Sequence, residues 1–123
     1  MRILAIDDSR TVRDMVRVTL EREGIETAVA EDGIHGLEVL DTLDPRPDAI
    51  LTDVNMPRLD GFGFIERVRK MDNFEGIPIL VLTTESAREL KLRARAAGAT
   101  GWIVKPFDPA RLVVALRTVT GLR

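Results

Sequence analysis

The run Ile3-Leu4-Ala5-Ile6, followed at once by Asp7-Asp8-Ser9, sets the architecture of the whole chain. Four consecutive apolar residues without alternation describe a strand covered on both faces, as in a parallel sheet between helical layers. Helical period follows: from about Ser9 to Glu23, Val12, Met15, Val16 and Leu20 share one face and Gly24 is the stop. The same strand-and-helix pair recurs downstream. Thr27-Ala28-Val29-Ala30 is a weaker, smaller-residued strand, as expected at a sheet edge. Asp32 can cap the next helix, with Leu37 and Leu40 inward, Gly36 permitting close approach and Pro45 and Pro47 marking the exit.

Ala49-Ile50-Leu51 ends at Thr52-Asp53, and beyond a loop containing Pro57 a helix opens at Gly61 and carries Ile65 and Val68 inward. Ile79-Leu80-Val81-Leu82 ends at Thr83-Thr84, and the following helix is expected to bury Ala87, Leu90, Ala94 and Ala97 before Gly98. Trp102-Ile103-Val104 ends at Lys105-Pro106. Asp108-Pro109 then supplies an N-cap and a proline at the first helical position, with Leu112, Val113 and Leu116 inward. Strand and helix alternating five times require parallel strands, right-handed crossovers and helices on both faces of an open α/β sheet. In such folds ligands bind at the carboxyl ends of the strands.

Length and composition narrow the function. A chain of 123 residues is read as one domain, 1–123, with a single core. The charge balance, 18 basic against 20 acidic residues, rules out chain-wide attraction to nucleic acid or to a membrane surface. Zero cysteines exclude disulfides, thiolate metal sites and a cysteine nucleophile, and a lone His35 excludes a multi-histidine metal centre. His35 itself is expected to face solvent. No apolar run approaches the roughly 20 residues of a membrane span, and no signal peptide precedes Asp7. A cytoplasmic protein is expected.

The residues just past each strand carry the chemistry. They are Asp7 and Asp8, Asp53, Thr83 and Lys105, and all should face one crevice. Two carboxylates about 4 Å apart repel by roughly 4 kcal/mol at an effective dielectric of about 20, so positive charge must sit among them. Lys105 supplies one unit and a divalent cation the rest. An all-oxygen donor set of this size suits Mg²⁺, which keeps water and is usually held by one or two carboxylates plus phosphate oxygens. In that setting a carboxylate can act as nucleophile and form an acyl phosphate. Asp53 stands alone at a strand end and is the candidate; Asp7 and Asp8, being adjacent, suit a metal-holding pair, and the Thr83 hydroxyl can donate to a phosphoryl oxygen.

These residues resemble the receiver domains of two-component response regulators, and among them the single-domain CheY-type chemotaxis regulators. The likeness rests on Asp7-Asp8, on Asp53-Val54-Asn55-Met56-Pro57 with Asp60-Gly61, on Leu82-Thr83-Thr84-Glu85, and on Ala97-Gly98-Ala99 leading to Lys105-Pro106-Phe107. It covers essentially the whole chain. The resemblance implies a flavodoxin-like, doubly wound five-stranded sheet in the order 2-1-3-4-5 with five helices. It implies that Asp53 accepts a phosphoryl group from a sensor histidine kinase of the CheA type, and that Asp7, Asp8, Asp53 and the backbone carbonyl of Asn55 bind Mg²⁺. Lys105 would pair with the phosphoryl group, Thr83 and Trp102 would act as the switch, and Asn55 and Glu85 would tune dephosphorylation. A cis Lys105-Pro106 bond is usual in the family.

The fourth helix presents Arg88, Lys91 and Arg95 at spacings of three and four, with Leu92 off the apolar face. A charged run of this kind is as often a solvated surface as a docking patch. In the family the fourth helix, fifth strand and fifth helix form the output surface, so a partner surface of Arg88, Lys91, Leu92, Arg95, Trp102 and Arg111 is expected, extended by Arg117. With no effector domain in prospect, a monomeric protein is expected to signal to a flagellar motor switch protein or another chemotaxis protein and to meet a phosphatase. A phosphate sink for the kinase is the alternative. An Asp-nucleophile phosphohydrolase of the haloacid-dehalogenase type would need a second Asp where Asn55 stands, and a flavin-binding protein would meet repulsion at Asp7-Asp8. Nucleic-acid binding by this chain alone is not expected.

Overall fold

The computed structural model describes residues 1–121. Five parallel strands, β1 (Arg2–Ile6), β2 (Glu26–Ala30), β3 (Ala49–Thr52), β4 (Ile79–Thr83) and β5 (Gly101–Val104), form one sheet in the order β2-β1-β3-β4-β5. The helices are α1 (Arg10–Glu21), α2 (Gly33–Thr42), α3 (Gly61–Arg69), α4 (Arg88–Ala97) and α5 (Pro109–Thr120), with a 3₁₀ turn at Asp72–Phe74 that the sequence did not announce.

Alternation along each strand divides the core into two layers. Ile3, Ala5, Leu51, Leu80 and Leu82 meet Val16 and Leu20 of α1 and Leu112 and Leu116 of α5. Leu4, Ile6, Ile50, Ile79 and Val81 meet α2, α3 and α4, where Phe64, Ile65 and Val68 supply most of the bulk. Each of the Leu, Ile, Val and Phe side chains among them, taken fully out of water, contributes about 1.5–3 kcal/mol.

Side-chain caps start four of the helices. Ser9, Asp32, Asp60 and Asp108 each accept a backbone N–H from the first turn that would otherwise lack a partner. The fourth helix differs: among the five described α-helices α4 alone has no side-chain cap, and Ala94 is its one buried residue. Its far end is fastened instead by Arg69 of α3, which donates to the carbonyls of Gly98 (2.9 Å) and Ile77 (2.6 Å). Gly98, at φ +112°, closes the helix with its missing Cβ against the Arg69 side chain. The Arg93 guanidinium lies 4.4 Å from the Phe62 ring centroid.

Three expectations are corrected here. Met15 is 49% exposed, because the stripe facing the sheet is Val12, Val16 and Leu20 and Met15 sits beside it. Ala87 is exposed as the extended N-cap of α4 rather than buried within it. His35 is half-buried, its Nδ1 accepting the Glu31 N–H at 3.0 Å. The Trp102-Ile103-Val104 strand lies at a sheet edge, which leaves Val104 41% exposed. No described helix is long and apolar enough to cross a membrane.

Candidate functional site

Parallel register levels the strand ends, Ile6 lying opposite Thr52 and Thr52 opposite Val81. One residue further on, backbone bonds pin the next position to the neighbouring strand. The Asp7 N–H donates to the Ala30 carbonyl (3.1 Å), that of Asp53 to Ile6 (2.9 Å) and that of Lys105 to Thr83 (2.8 Å). The sheet itself therefore fixes the three residues, with Asp7 and Asp53 flanking the point between β1 and β3 where the strand order reverses.

Asp7, Asp8 and Asp53 each offer a carboxylate oxygen within 4.8 Å of the others. Asp7 and Asp53 are buried, at 4% and 8% exposure, while Asp8 is open to solvent. Lys105 Nζ lies 2.5 Å from Asp7 Oδ2 and 3.5 Å from Asp53 Oδ2. The other Asp7 oxygen accepts the Ser9 N–H at 2.9 Å, and Asp53 Oδ1 accepts that of Val54 at 2.8 Å. Burial pushes the Asp7 carboxyl above its ordinary value; the Lys105 and Ser9 bonds pull it down, and the Asp53 charge adds to the rise. One lysine thus serves two buried carboxylates with a third close by. Hard oxygen donors, excess negative charge and one member open to solvent fit a hydrated Mg²⁺.

Gly61 is indispensable to this geometry, since a Cβ there would stand 2.1 Å from the Asp53 carbonyl oxygen and 2.9 Å from Val54 Cα. Thr83 is buried and its hydroxyl oxygen accepts the Glu85 N–H at 3.4 Å. Across the mouth of the pocket Asn55 Nδ2 donates to Glu85 Oε1 at 2.6 Å. Trp102 finds the partner its indole needs in the Glu85 carbonyl, 3.0 Å from Nε1. Glu85 therefore meets Asn55 through its side chain and Trp102 through its main chain.

A family model described as the response regulator receiver domain matches residues 3–117. The chain belongs to the response regulator receiver family. It is similar to the chemotaxis protein CheY1 of Helicobacter pylori, 37% identical over 123 residues that cover 98% of both chains. It is also similar to the sensor histidine kinase CheAY of that organism, 37% identical over 115 residues, covering 94% of this chain and 14% of the kinase. Among solved structures it is similar to the chemotaxis response regulator CheY4 of Vibrio cholerae, 44% identical with a TM-score of 0.89, over 96% of this chain and 97% of the other. The receiver domain of a sensor histidine kinase from Pseudomonas aeruginosa PAO1, with a magnesium ion coordinated in its active site cleft, is 28% identical at a TM-score of 0.89, over 98% and 97%.

Elsewhere on this receiver, Arg88, Lys91, Leu92, Arg95 and Trp102 line one concavity of about 300 Å³ between α4 and β5. Arg111 is exposed on α5, outside that lining. Arg117 does not extend the patch, because it pairs at 3.4 Å with Glu23 in the turn after α1. The Lys105-Pro106 peptide is cis, as is Asp44-Pro45. A larger concavity of about 500 Å³ near Arg2 and Glu26 lies at the amino ends of the strands, away from the carboxylates.

Three contributors were not read from the sequence. Arg13 donates to the Asp7 carbonyl at 2.7 Å, Asp32 and Arg58 pair beside the loop after β3, and Met15, Val18, Phe107 and Pro109 form an apolar groove next to α1. Spacing along the chain carries no sign of the first two, whose partners are set by the reach of a guanidinium.

Proposed function

We propose that this receiver is a phosphorylation-controlled switch of a two-component pathway serving chemotaxis, with Asp53 accepting a phosphoryl group from the phosphohistidine of a sensor histidine kinase. The observation that carries the proposal is the Asp53 carboxylate at the end of β3, sharing Lys105 with Asp7 and within 4.8 Å of both other acidic oxygens. Asp7, Asp8, Asp53 and the Asn55 backbone carbonyl would hold Mg²⁺. When bound, the cation supplies positive charge for the transferring phosphoryl oxygens.

In the transfer, an Asp53 carboxylate oxygen attacks phosphorus as the P–N bond of the phosphohistidine breaks. The imidazole leaves with the electron pair and an acyl phosphate remains on Asp53. Lys105 exchanges a carboxylate for a phosphoryl oxygen, and the Thr83 hydroxyl donates to another. Asn55 and Glu85, already bonded across the pocket mouth, flank the path of the attacking water and tune hydrolysis. Because Glu85 also holds the Trp102 indole, a change at the phosphoryl group reaches the surface of Arg88, Lys91, Leu92, Arg95, Trp102 and Arg111. That surface binds a flagellar motor component or another chemotaxis protein in the cytoplasm.

Incubation with Mg²⁺ and acetyl phosphate should give an acid-labile adduct of one phosphate by intact mass spectrometry, absent from Asp53→Asn. An adduct that survives that substitution would refute the assignment. Retention of a chemotaxis or motor protein by the beryllofluoride-activated receiver, lost on Lys91→Glu, supports the output surface; retention of the kinase alone favours a phosphate sink.

A further inference from the structure

The loop between β3 and α3 carries Asp53 and both functional groups of Asn55, yet has no regular structure of its own. Three backbone bonds brace it: Gly61 N–H to the Val54 carbonyl (2.8 Å) and Leu59 N–H to Pro57 (2.7 Å) close the loop on itself, and Gly33 N–H to Leu59 (3.1 Å) ties it to the start of α2. Gly33 opens α2 so close to the loop that a Cβ there would stand 2.5 Å from the Leu59 carbonyl oxygen.

The fourth fastening is a side-chain fork. Arg58 Nε donates to Asp32 Oδ2 at 2.8 Å and Arg58 Nη2 to Oδ1 at 3.0 Å, while Oδ1 also accepts the His35 N–H at 2.8 Å. Asp32 is 3% exposed, and the Arg58 fork is the main reason its carboxyl lies below the ordinary value. Arg58 itself sits at φ +65°, a left-handed conformation that a non-glycine residue keeps only where its surroundings impose it. Capping of α2 needs Asp32 alone. Arg58 is needed only if the loop must be held.

We propose that the Asp32–Arg58 fork is a positioning clamp that fixes the loop after β3, so that the Asn55 carbonyl faces the cation site and the Asn55 amide meets Glu85. The clamp rests on the assignment of Asp7, Asp8, Asp53 and Asn55 as the Mg²⁺ site. It makes a prediction opposite in sign to simple electrostatics. Deleting a cation near an acidic pocket should tighten divalent binding if charge alone acts, whereas loss of a clamp should weaken it.

The test is a titration with Mg²⁺ alone, followed by the amide NMR shifts of Asp8 and Asn55, on the wild type, Arg58→Ala, Arg58→Lys and Asp8→Asn. Arg58→Lys keeps the charge and loses the fork, and it decides the matter if Arg58→Ala does not fold. The expected result is Mg²⁺ affinity weaker by roughly tenfold in both Arg58 variants, the low end for losing a group that orients a metal ligand. Unchanged or tighter binding in both variants overturns the clamp and leaves the site standing. A wild type that does not respond to Mg²⁺, or an Asp8→Asn response equal to the wild type's, overturns the site and the clamp with it.

Discussion

Asp7→Asn tests whether the acidic pocket weakens the fold when no cation neutralises it. Burial, seconded by Asp53, raises the Asp7 carboxyl against the pull of Lys105 and the Ser9 N–H. A raised carboxyl has a definite thermodynamic sign. The stability it contributes is complete below the unfolded value of 3.8 and is lost as pH rises through the folded value, so at pH 7 the ionised group weakens the native state. Two unit charges at the 4.8 Å limit of the cluster repel by roughly 3.5 kcal/mol at an effective dielectric of about 20. The substitution removes that repulsion and the cost of burying the charge, and it keeps an acceptor for the Ser9 N–H. It gives up the whole Lys105 hydrogen bond, because the single amide oxygen serves the Ser9 N–H and the NH2 group is left facing Nζ, and that loss offsets much of the gain. The expected net stabilisation is about 1–2 kcal/mol, or roughly 4–8 °C in Tm.

Urea unfolding at pH 7 in EDTA, followed by the fluorescence of Trp102, measures the difference. The advantage should fade below pH 3.8, where Asp7 is protonated in the folded and the unfolded wild type alike. Mg²⁺ at ten times its Kd should stabilise the wild type by about 1.4 kcal/mol and the variant by less, narrowing or reversing the order. An Asp7→Asn protein less stable than wild type at pH 7 in EDTA would show that Lys105 more than compensates the pocket, and the electrostatic account would be wrong.

Two further substitutions probe the framework. Gly61→Ala puts a methyl group 2.1 Å from the Asp53 carbonyl oxygen; the backbone must shift, at a cost of about 3 kcal/mol or more, and the yield of phosphorylated protein from acetyl phosphate should fall sharply. A normal yield would mean that the loop yields without disturbing Asp53. Arg69→Ala leaves the Gly98 and Ile77 carbonyls without their guanidinium; hydrogen bonds to a charged group contribute about 1.5–3 kcal/mol each, so chemical denaturation should show a loss of at least 2 kcal/mol, with hydrogen exchange rising first in α4.

The site was legible at the strand ends because topology alone carries residues such as Asp7, Asp53 and Lys105 to one edge of a parallel sheet. Register then brings them within hydrogen-bonding reach of one another. Periodicity misled where an element's boundary or flank mattered: Met15 lies one position off the buried stripe of α1, and Ala87 precedes the first turn of α4. Long side chains were invisible for another reason. Arg58 meets Asp32 across 26 residues and Arg69 meets Gly98 across 29, distances at which neither spacing nor propensity encodes a partner. Arg117 likewise has the composition of a basic patch but the geometry of a link to the turn after α1.

The missing cap of α4 has a bearing on how a small chemical event can be felt at the surface. Apart from the Arg69 fastening at its far end, α4 fully buries only Ala94 and starts without a side-chain acceptor, so little local free energy holds its first turn in one pose. An element of that kind populates alternative poses at modest cost, and a differential of about 1.4 kcal/mol between them changes their ratio tenfold. The other α-helices, each capped by a side chain, form the frame against which that difference is registered. Under the proposed function, weak anchoring at the start of α4 would let the rearrangement around one phosphoryl group redistribute the ensemble without loosening the sheet that holds the carboxylates.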